Sequence, residues 1–241
     1  MTKIIEINNF SDDNLFKNLN ISIEKNKISC ISGANSCGKT TLIRILNRDI
    51  ITDNDILINK ININDYTISD YTNLIQTVIP FEIVFKKDKV DEEVNNKELI
   101  KRLKIKESNI KLLSDKEIIL TQLAIAIDNK PKILLLDNIF IYFNDKEKKE
   151  LFKLLKELKM TIIYTTIDLN DSLYADRLYI INDKKIVLEG SPLEVLEKDN
   201  IINKAGLNLP FMIDLSVKLK DYELLDSIIL DKKRMVNALW K

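Results

Sequence analysis

The chain of 241 residues contains no histidine, one tryptophan, two cysteines, four prolines and four glycines. Without histidine there is no imidazole to serve as a general base or as a metal ligand. Cys30 and Cys37 form neither a disulfide framework nor a metal-binding spacing, which fits a reducing, cytoplasmic compartment. Net charge is also lacking: 37 basic residues balance 37 acidic ones. Counterion release then has no evident source, and the expectation is no nucleic-acid partner. No apolar run approaches the roughly 18 to 20 residues that cross a bilayer, and the opening MTKIIEINNF has no secretory pattern. A role at a membrane would therefore need another chain to supply the span.

What is present is a core-forming composition, 45% hydrophobic and 31% charged, enough for one domain with subdomains. Two of the scarce glycines, Gly33 and Gly38, fall in the segment Gly33-Ala34-Asn35-Ser36-Cys37-Gly38-Lys39-Thr40-Thr41, between the apolar runs ISCIS and LIRIL. A glycine-rich turn from a buried strand into a helix leaves backbone N–H groups free at the positive end of the helix dipole. The spacing G-x-x-x-x-G-K-[ST] adds Lys39 for the β- and γ-phosphates and the Thr40 hydroxyl for Mg²⁺. Nine consecutive residues, 33–41, are thus the candidate nucleotide loop.

Around this loop, β segments are expected at 3–10 and 16–25, separated by the polar turn SDDN, and at 27–32. Leu42, Ile43, Ile45 and Leu46 stand at helical spacing; 53–64 reads as a hairpin turning at Asn59 and Lys60, and 73–79 as a strand. Residues 86–117 are charge-rich with short apolar insertions, expected as one or two amphipathic helices in an insert spanning about 80–117. A helix follows at 115–127, opened by a capping box of Ser114 and Glu117. KILLLD, 132–137, is a continuous apolar strand ending in an acid, as central parallel strands read. Then come a helix at 146–159, a strand at 161–166, a short helix at 171–178 and a β pair over 179–190. Ser191, Pro192 and Glu194 open one more helix, and a helical tail fills 200–241. Alternating strands and helices imply an α/β fold with a mostly parallel sheet, antiparallel β segments at the start, a nucleotide-binding domain at 1–199 and the tail beyond it.

The order phosphate loop, helical insert, KILLLD resembles the nucleotide-binding domain of ABC-type ATPases over nearly the whole chain. That resemblance implies ATP and Mg²⁺ as ligands. Asp137 with Thr40 would hold the ion, Gln76 would be the glutamine sensing γ-phosphate and Mg²⁺, and Phe10 would be either the aromatic stacking on adenine or a core residue. The ending LYADRLYIINDKKIVLEGSPLEVLEK followed by AGLNLPFMIDLSVKL is similar to ATPase subunits of energy-coupling factor importers, where such a tail serves ATPase-to-ATPase contact. A second ATPase subunit and a transmembrane coupling subunit are the implied partners, and the inner face of the cell membrane is the implied location.

The same resemblance exposes departures. The dimer signature Leu-Ser-Gly-Gly-Gln reads Leu113-Ser114-Asp115-Lys116-Glu117, and Asn138 stands where a glutamate base is expected. Ile167 stands where the switch histidine is expected, Asn144 where an aspartate is, and Asn-Ser-Cys-Gly replaces the commoner Asn-Gly-Ser-Gly in the loop. An amide can hydrogen-bond a water but cannot take its proton at neutral pH. The expectation is a chain that binds Mg-ATP with no intact catalytic base, working as a degenerate importer subunit or as a nucleotide-sensing module without transport. A phosphate-loop kinase or GTPase fits the insert and the tail less well.

Overall fold

A computed structural model describes residues 2–12, 15–82 and 85–240. Residues 13 and 14 of the expected SDDN turn, 83 and 84 of the expected insert, and 241 at the end of the tail lie outside the described residues.

Two sheets organise the chain. β1 (Lys3–Phe10), β2 (Leu19–Glu24), β4 (Ile56–Ile58) and β5 (Ile61–Asn62) form an antiparallel sheet in the order β2-β1-β4-β5. The second sheet uses β3 (Ile28–Gly33), β6 (Ile75–Val78), β7 (Ile133–Leu136), β8 (Thr161–Thr166), β9 (Arg177–Asn182) and β10 (Lys185–Gly190), ordered β10-β9-β3-β8-β7-β6. All of its pairings are parallel except β10 with β9.

This sheet is apolar on both faces because both are covered. Leu134, Leu136, Ile162 and Tyr164 point into one core with the helices, whereas Ile133, Leu135 and Ile163 point into a second core shared with the antiparallel sheet. Strands buried on both sides cannot alternate apolar with polar residues, which is why ILLL runs unbroken.

Helices α1 (Lys39–Leu46) and α2 (Ile68–Leu74) lie on the antiparallel-sheet side, where Leu42, Ile43, Tyr71 and Leu74 are buried. Among the described residues the insert holds two short α-helices, α3 (Val90–Glu93) and α4 (Lys97–Arg102), and a 3-10 turn at Ile110–Leu112 before α5 (Asp115–Asp128). Then follow α6 (Asp145–Glu157), α7 (Leu169–Ser172), α8 (Pro192–Leu196), α9 (Asp199–Lys204), α10 (Phe211–Asp221) and α11 (Lys232–Leu239). Among the described residues no helix is long and apolar enough to cross a membrane.

Two expected elements shift. Residues 73–74 close α2 instead of opening a strand, because Thr67 caps that helix by accepting from the Asp70 N–H at 3.1 Å. The short helix expected at 171–178 is the earlier, four-residue α7, set by Asp168 accepting from the Asn170 N–H at 2.9 Å. Capping boxes start α5 through Ser114 and Glu117 and α6 through Asn144 and Glu147. The ammonium of Lys116 then bonds Glu147 at 2.7 Å, joining the two helix starts.

Candidate nucleotide and magnesium site

The site lies at the carboxyl edge of the parallel sheet, where such folds place their ligands. β3 ends in Gly33, and a Cβ there would stand 2.5 Å from the Ile181 carbonyl oxygen and 2.5 Å from Cys37 Sγ. Only glycine lets the chain leave the strand this close to β9. Gly38, at φ 103, precedes α1 in the left-handed region, with the Phe16 ring 2.6 Å from where its Cβ would be. Ala34 and Cys37 are half-buried, while Asn35 and Ser36 are exposed at the tip. Lys39, the first residue of α1, is buried; its ammonium donates to the Gly33 carbonyl at 2.7 Å and the Ala34 carbonyl at 2.8 Å. These bonds hold the cation across the loop's mouth. Thr41 is half-buried in the first turn behind it.

Thr40 and Asp137 come together. The threonine hydroxyl donates to Asp137 Oδ2 at 2.8 Å, and the hydroxyl of Thr165 donates to Asp137 Oδ1 at 2.6 Å. Asp137 is 5% exposed, and its N–H donates to the Val78 carbonyl at 2.9 Å, fixing the acid between the ends of β6 and β8. An oxygen-only pair suits a hard cation. No group of three or more His, Cys, Asp or Glu that could hold a metal occurs among the described residues. Mg²⁺ is such a hard cation, keeping waters and taking phosphate oxygens alongside one or two protein ligands. Thr165 is not legible in the sequence, because a threonine near the end of a buried strand carries no local signal for its partner 28 residues away.

The next residue, Asn138, sits at φ 50, a left-handed conformation that asparagine tolerates better than most residues. Its N–H donates to Thr165 Oγ1 at 2.9 Å, while its amide oxygen is buried without a partner. The residue is an acceptor beside the Thr40–Asp137 pair, but an amide is no base at neutral pH.

Gln76 requires a correction. It lies in the amino-terminal half of β6, opposite Leu134 and three residues short of the register of Asp137. Its amide nitrogen donates to the Thr72 carbonyl at 2.7 Å and its oxygen accepts from Asn129 at 3.1 Å. Order along the chain chose the right strand but not its end. Val78 ends it beside the acid, followed by Ile79 and Pro80, whose side chains cannot ligate a cation. Phe10 likewise takes its core alternative. It is 1% exposed and meets Phe16 edge-on at 5.6 Å, leaving no ring face for a base.

Ser114, Asp115, Lys116 and Glu117 lie at the start of α5. The Ser114 hydroxyl donates to Glu117 Oε2 at 2.7 Å, and Glu117 Oε1 accepts from the N–H groups of Lys106 at 3.2 Å and Glu107 at 3.3 Å. The Ser114 hydrogen bond leads in holding the Glu117 carboxyl below its ordinary range. Serine, lysine and glutamate are thus engaged within the subunit, and Asp115 is exposed. Ile167 is 41% exposed on a crevice of about 360 Å³ bounded by Ala34, Asn35, Asp168, Gly206 and Leu209. Behind it Lys148, on α6, reaches Asp171 at 2.7 Å and Asp168 at 3.5 Å.

The family model for ABC transporters matches residues 16–140, over half of the chain. The chain belongs to the ABC transporter family. Over 258 aligned residues this ABC chain is 26% identical to an energy-coupling factor transporter ATP-binding protein of Mesomycoplasma hyopneumoniae strain 7448, covering 97% of this chain and 93% of the relative. A counterpart of the same name from Clostridioides difficile strain 630 is 26% identical over 250 residues, 90% of each chain. Among solved structures, cbiO1 of Clostridium perfringens, described as part of the ABC transporter complex cbiONQ, superposes with a TM-score of 0.69 at 25% identity, covering 89% of this chain and 99% of that one. The ATP-binding cassette MJ0796, a dimer bound to ADP and phosphate, shares the fold at a TM-score of 0.68 and 20% identity, covering 78% and 99%. The ABC ATPase architecture, with its mostly parallel sheet and antiparallel opening strands, is that of these neighbours.

Proposed function

We propose that this chain is an ATP-binding subunit of an importer of the energy-coupling factor kind, whose own output is nucleotide-dependent closure onto a second ATPase subunit, with hydrolysis coming largely from that partner. The observation that carries this reading is the Thr40–Asp137 pair at 2.8 Å beside a phosphate loop with Lys39 in place, while the next residue is Asn138. Loop N–H groups and Lys39 would take the phosphates, and Thr40 and Asp137 would hold the Mg²⁺ of a bound Mg-ATP, which supplies charge neutralisation across the β- and γ-phosphates. Asn138 can orient a water through its unpartnered amide oxygen but cannot remove its proton. The Ile167 side chain carries no polar atom to stand in for an imidazole. Binding energy would then bias two states, open and closed, which is what a mechanical subunit needs.

A membrane subunit would dock beside β6 and α5. There a crevice of about 300 Å³ is bounded by Arg44, Thr77, Glu82 and Gln122. Gln122, on the wall of this crevice, is 3% exposed with neither amide atom hydrogen-bonded.

A second reading, closure gating a soluble partner without transport, draws support from the small insert, whose two helices span four and six residues. A detergent pull-down from the native cell separates the two. Recovery of a polytopic membrane protein with a second ATPase supports the importer, and recovery of soluble partners alone overturns it.

A further inference from the structure

We propose that Lys148 is a positioning residue for the magnesium-nucleotide site, setting the orientation of Asp137 from α6 through a buried chain of polar contacts. The inference rests on the functional reading above.

Lys148 is 8% exposed, and a buried ammonium needs a reason. Its Nζ bonds Asp171 Oδ1 at 2.7 Å; Asp171, itself 1% exposed, accepts through Oδ2 from the Thr166 hydroxyl at 3.0 Å. Thr166 is joined by a peptide bond to Thr165, whose hydroxyl donates to Asp137 Oδ1 at 2.6 Å, and the other oxygen of Asp137 accepts from Thr40. Thr166 is fixed on its other side by its own carbonyl, which accepts from Ser32 at the end of β3 at 2.8 Å. The Asp171 carbonyl is fixed in turn by the Tyr164 hydroxyl at 2.7 Å. Every link from the ammonium to the metal pair is thus a hydrogen bond, an ion pair or a covalent bond.

The cation serves two carboxylates. Burial pushes the Asp171 carboxyl up, and Lys148 opposes that shift; Asp168, at the start of α7, is the more exposed partner at 3.5 Å. Removing the ammonium would leave Asp171 held by the Thr166 hydroxyl alone, free to turn or to take up a proton, and the loop from β8 into α7 would lose its anchor on α6. Thr165, at the root of that loop, would then lose the orientation it imposes on Asp137. Groups that hydrogen-bond a metal ligand without touching the metal fix the direction in which that ligand points. An ion pair serving only to fasten α6 to α7 would affect stability but not the magnesium dependence of nucleotide binding.

The test is binding of a fluorescent ATP analogue to the full chain, with magnesium and with EDTA. The ratio of the two dissociation constants reads the magnesium contribution. In Lys148→Met this ratio is expected to shrink about tenfold or more, the usual range for a lost outer-shell partner. Affinity in EDTA, set by the phosphate loop, stays unchanged, and Lys148→Arg, which keeps the cation, restores the ratio. Lys148→Met/Asp171→Asn removes both charges together and supplies the measurement if the single variant does not fold; it too is expected to show the reduced ratio. The unaltered ratio in folded Lys148→Met, or in folded Lys148→Met/Asp171→Asn, overturns the proposal. An unaltered chain that binds no nucleotide removes the functional reading and this inference with it, and is told apart because it needs no variant.

Discussion

Thr40 and Asp137, 97 residues apart in the chain, share a 2.8 Å hydrogen bond at the carboxyl edge of the sheet. The hydroxyl near the end of the phosphate loop and the acid just after β7 are held in contact by the crossovers between parallel strands. Thr40→Ala and Asp137→Ala should therefore weaken Mg-ATP binding by about tenfold or more while leaving magnesium-free binding intact, whereas Lys39→Ala should weaken both. Isothermal titration with and without magnesium checks the difference.

Gly33 tests the close approach of the loop to β9. In Gly33→Ala the new methyl would stand 2.5 Å from the Ile181 carbonyl oxygen, a backbone atom that cannot swing aside. A stability loss of about 1 to 3 kcal/mol is expected, with nucleotide binding lost alongside it, as for overpacked sites generally. A thermal melt and a binding titration on the same sample measure both; an unaltered melting temperature would speak against the contact.

Asn138 and Ile167 are the positions where groups for hydrolysis are missing, and they should respond together. The double variant Asn138→Glu/Ile167→His supplies a carboxylate and an imidazole at the edge that holds Asp137. Phosphate release should rise by about tenfold or more, less than the roughly 10²- to 10⁴-fold that a positioned base contributes, because the signature turn remains altered. A glutamate at φ 50 should also cost about 1 kcal/mol of stability relative to asparagine. Turnover unchanged in a folded double variant would place the defect elsewhere.

Glu117 gives a pH dependence. Hydrogen bonds led by Ser114 hold its folded carboxyl below the ordinary value, so the unfolded chain takes up the proton first as pH falls. The stabilisation is fully present above about 4.3, the usual glutamate value, and is lost as pH drops through the lower folded value. Melting temperatures between neutral and acid pH should fall more steeply for the unaltered chain than for Glu117→Gln. Ser114→Ala should reduce stability by about 1 kcal/mol through the lost cap.

The parts of the site written locally were legible in the sequence. The phosphate loop is nine consecutive residues with a fixed spacing, and Asp137 announces itself as an acid closing an apolar run. Gln76 was misplaced because chain order gives a strand but not the offset from its end, and two residues along a strand are about 7 Å. Phe10 needed burial to decide it, since an aromatic residue reads alike in a core and at a ligand. Thr165 and Lys148 were invisible for another reason: each acts on a group brought near only by the fold, Asp137 for one and Asp171 for the other. The capping boxes at Ser114 and Asn144 differ in the same way. The first was read from its four-residue pattern, and the second stood where an aspartate was expected by resemblance.

The most direct test is a single experiment on the isolated full-length chain: ATP binding and phosphate release measured together under saturating Mg-ATP, beside Lys39→Ala. Saturable binding that needs Lys39, with phosphate release at background, is the expected result. Rapid phosphate release that disappears in Lys39→Ala would contradict it, since a chain with Asn138 and Ile167 would then hydrolyse ATP unaided.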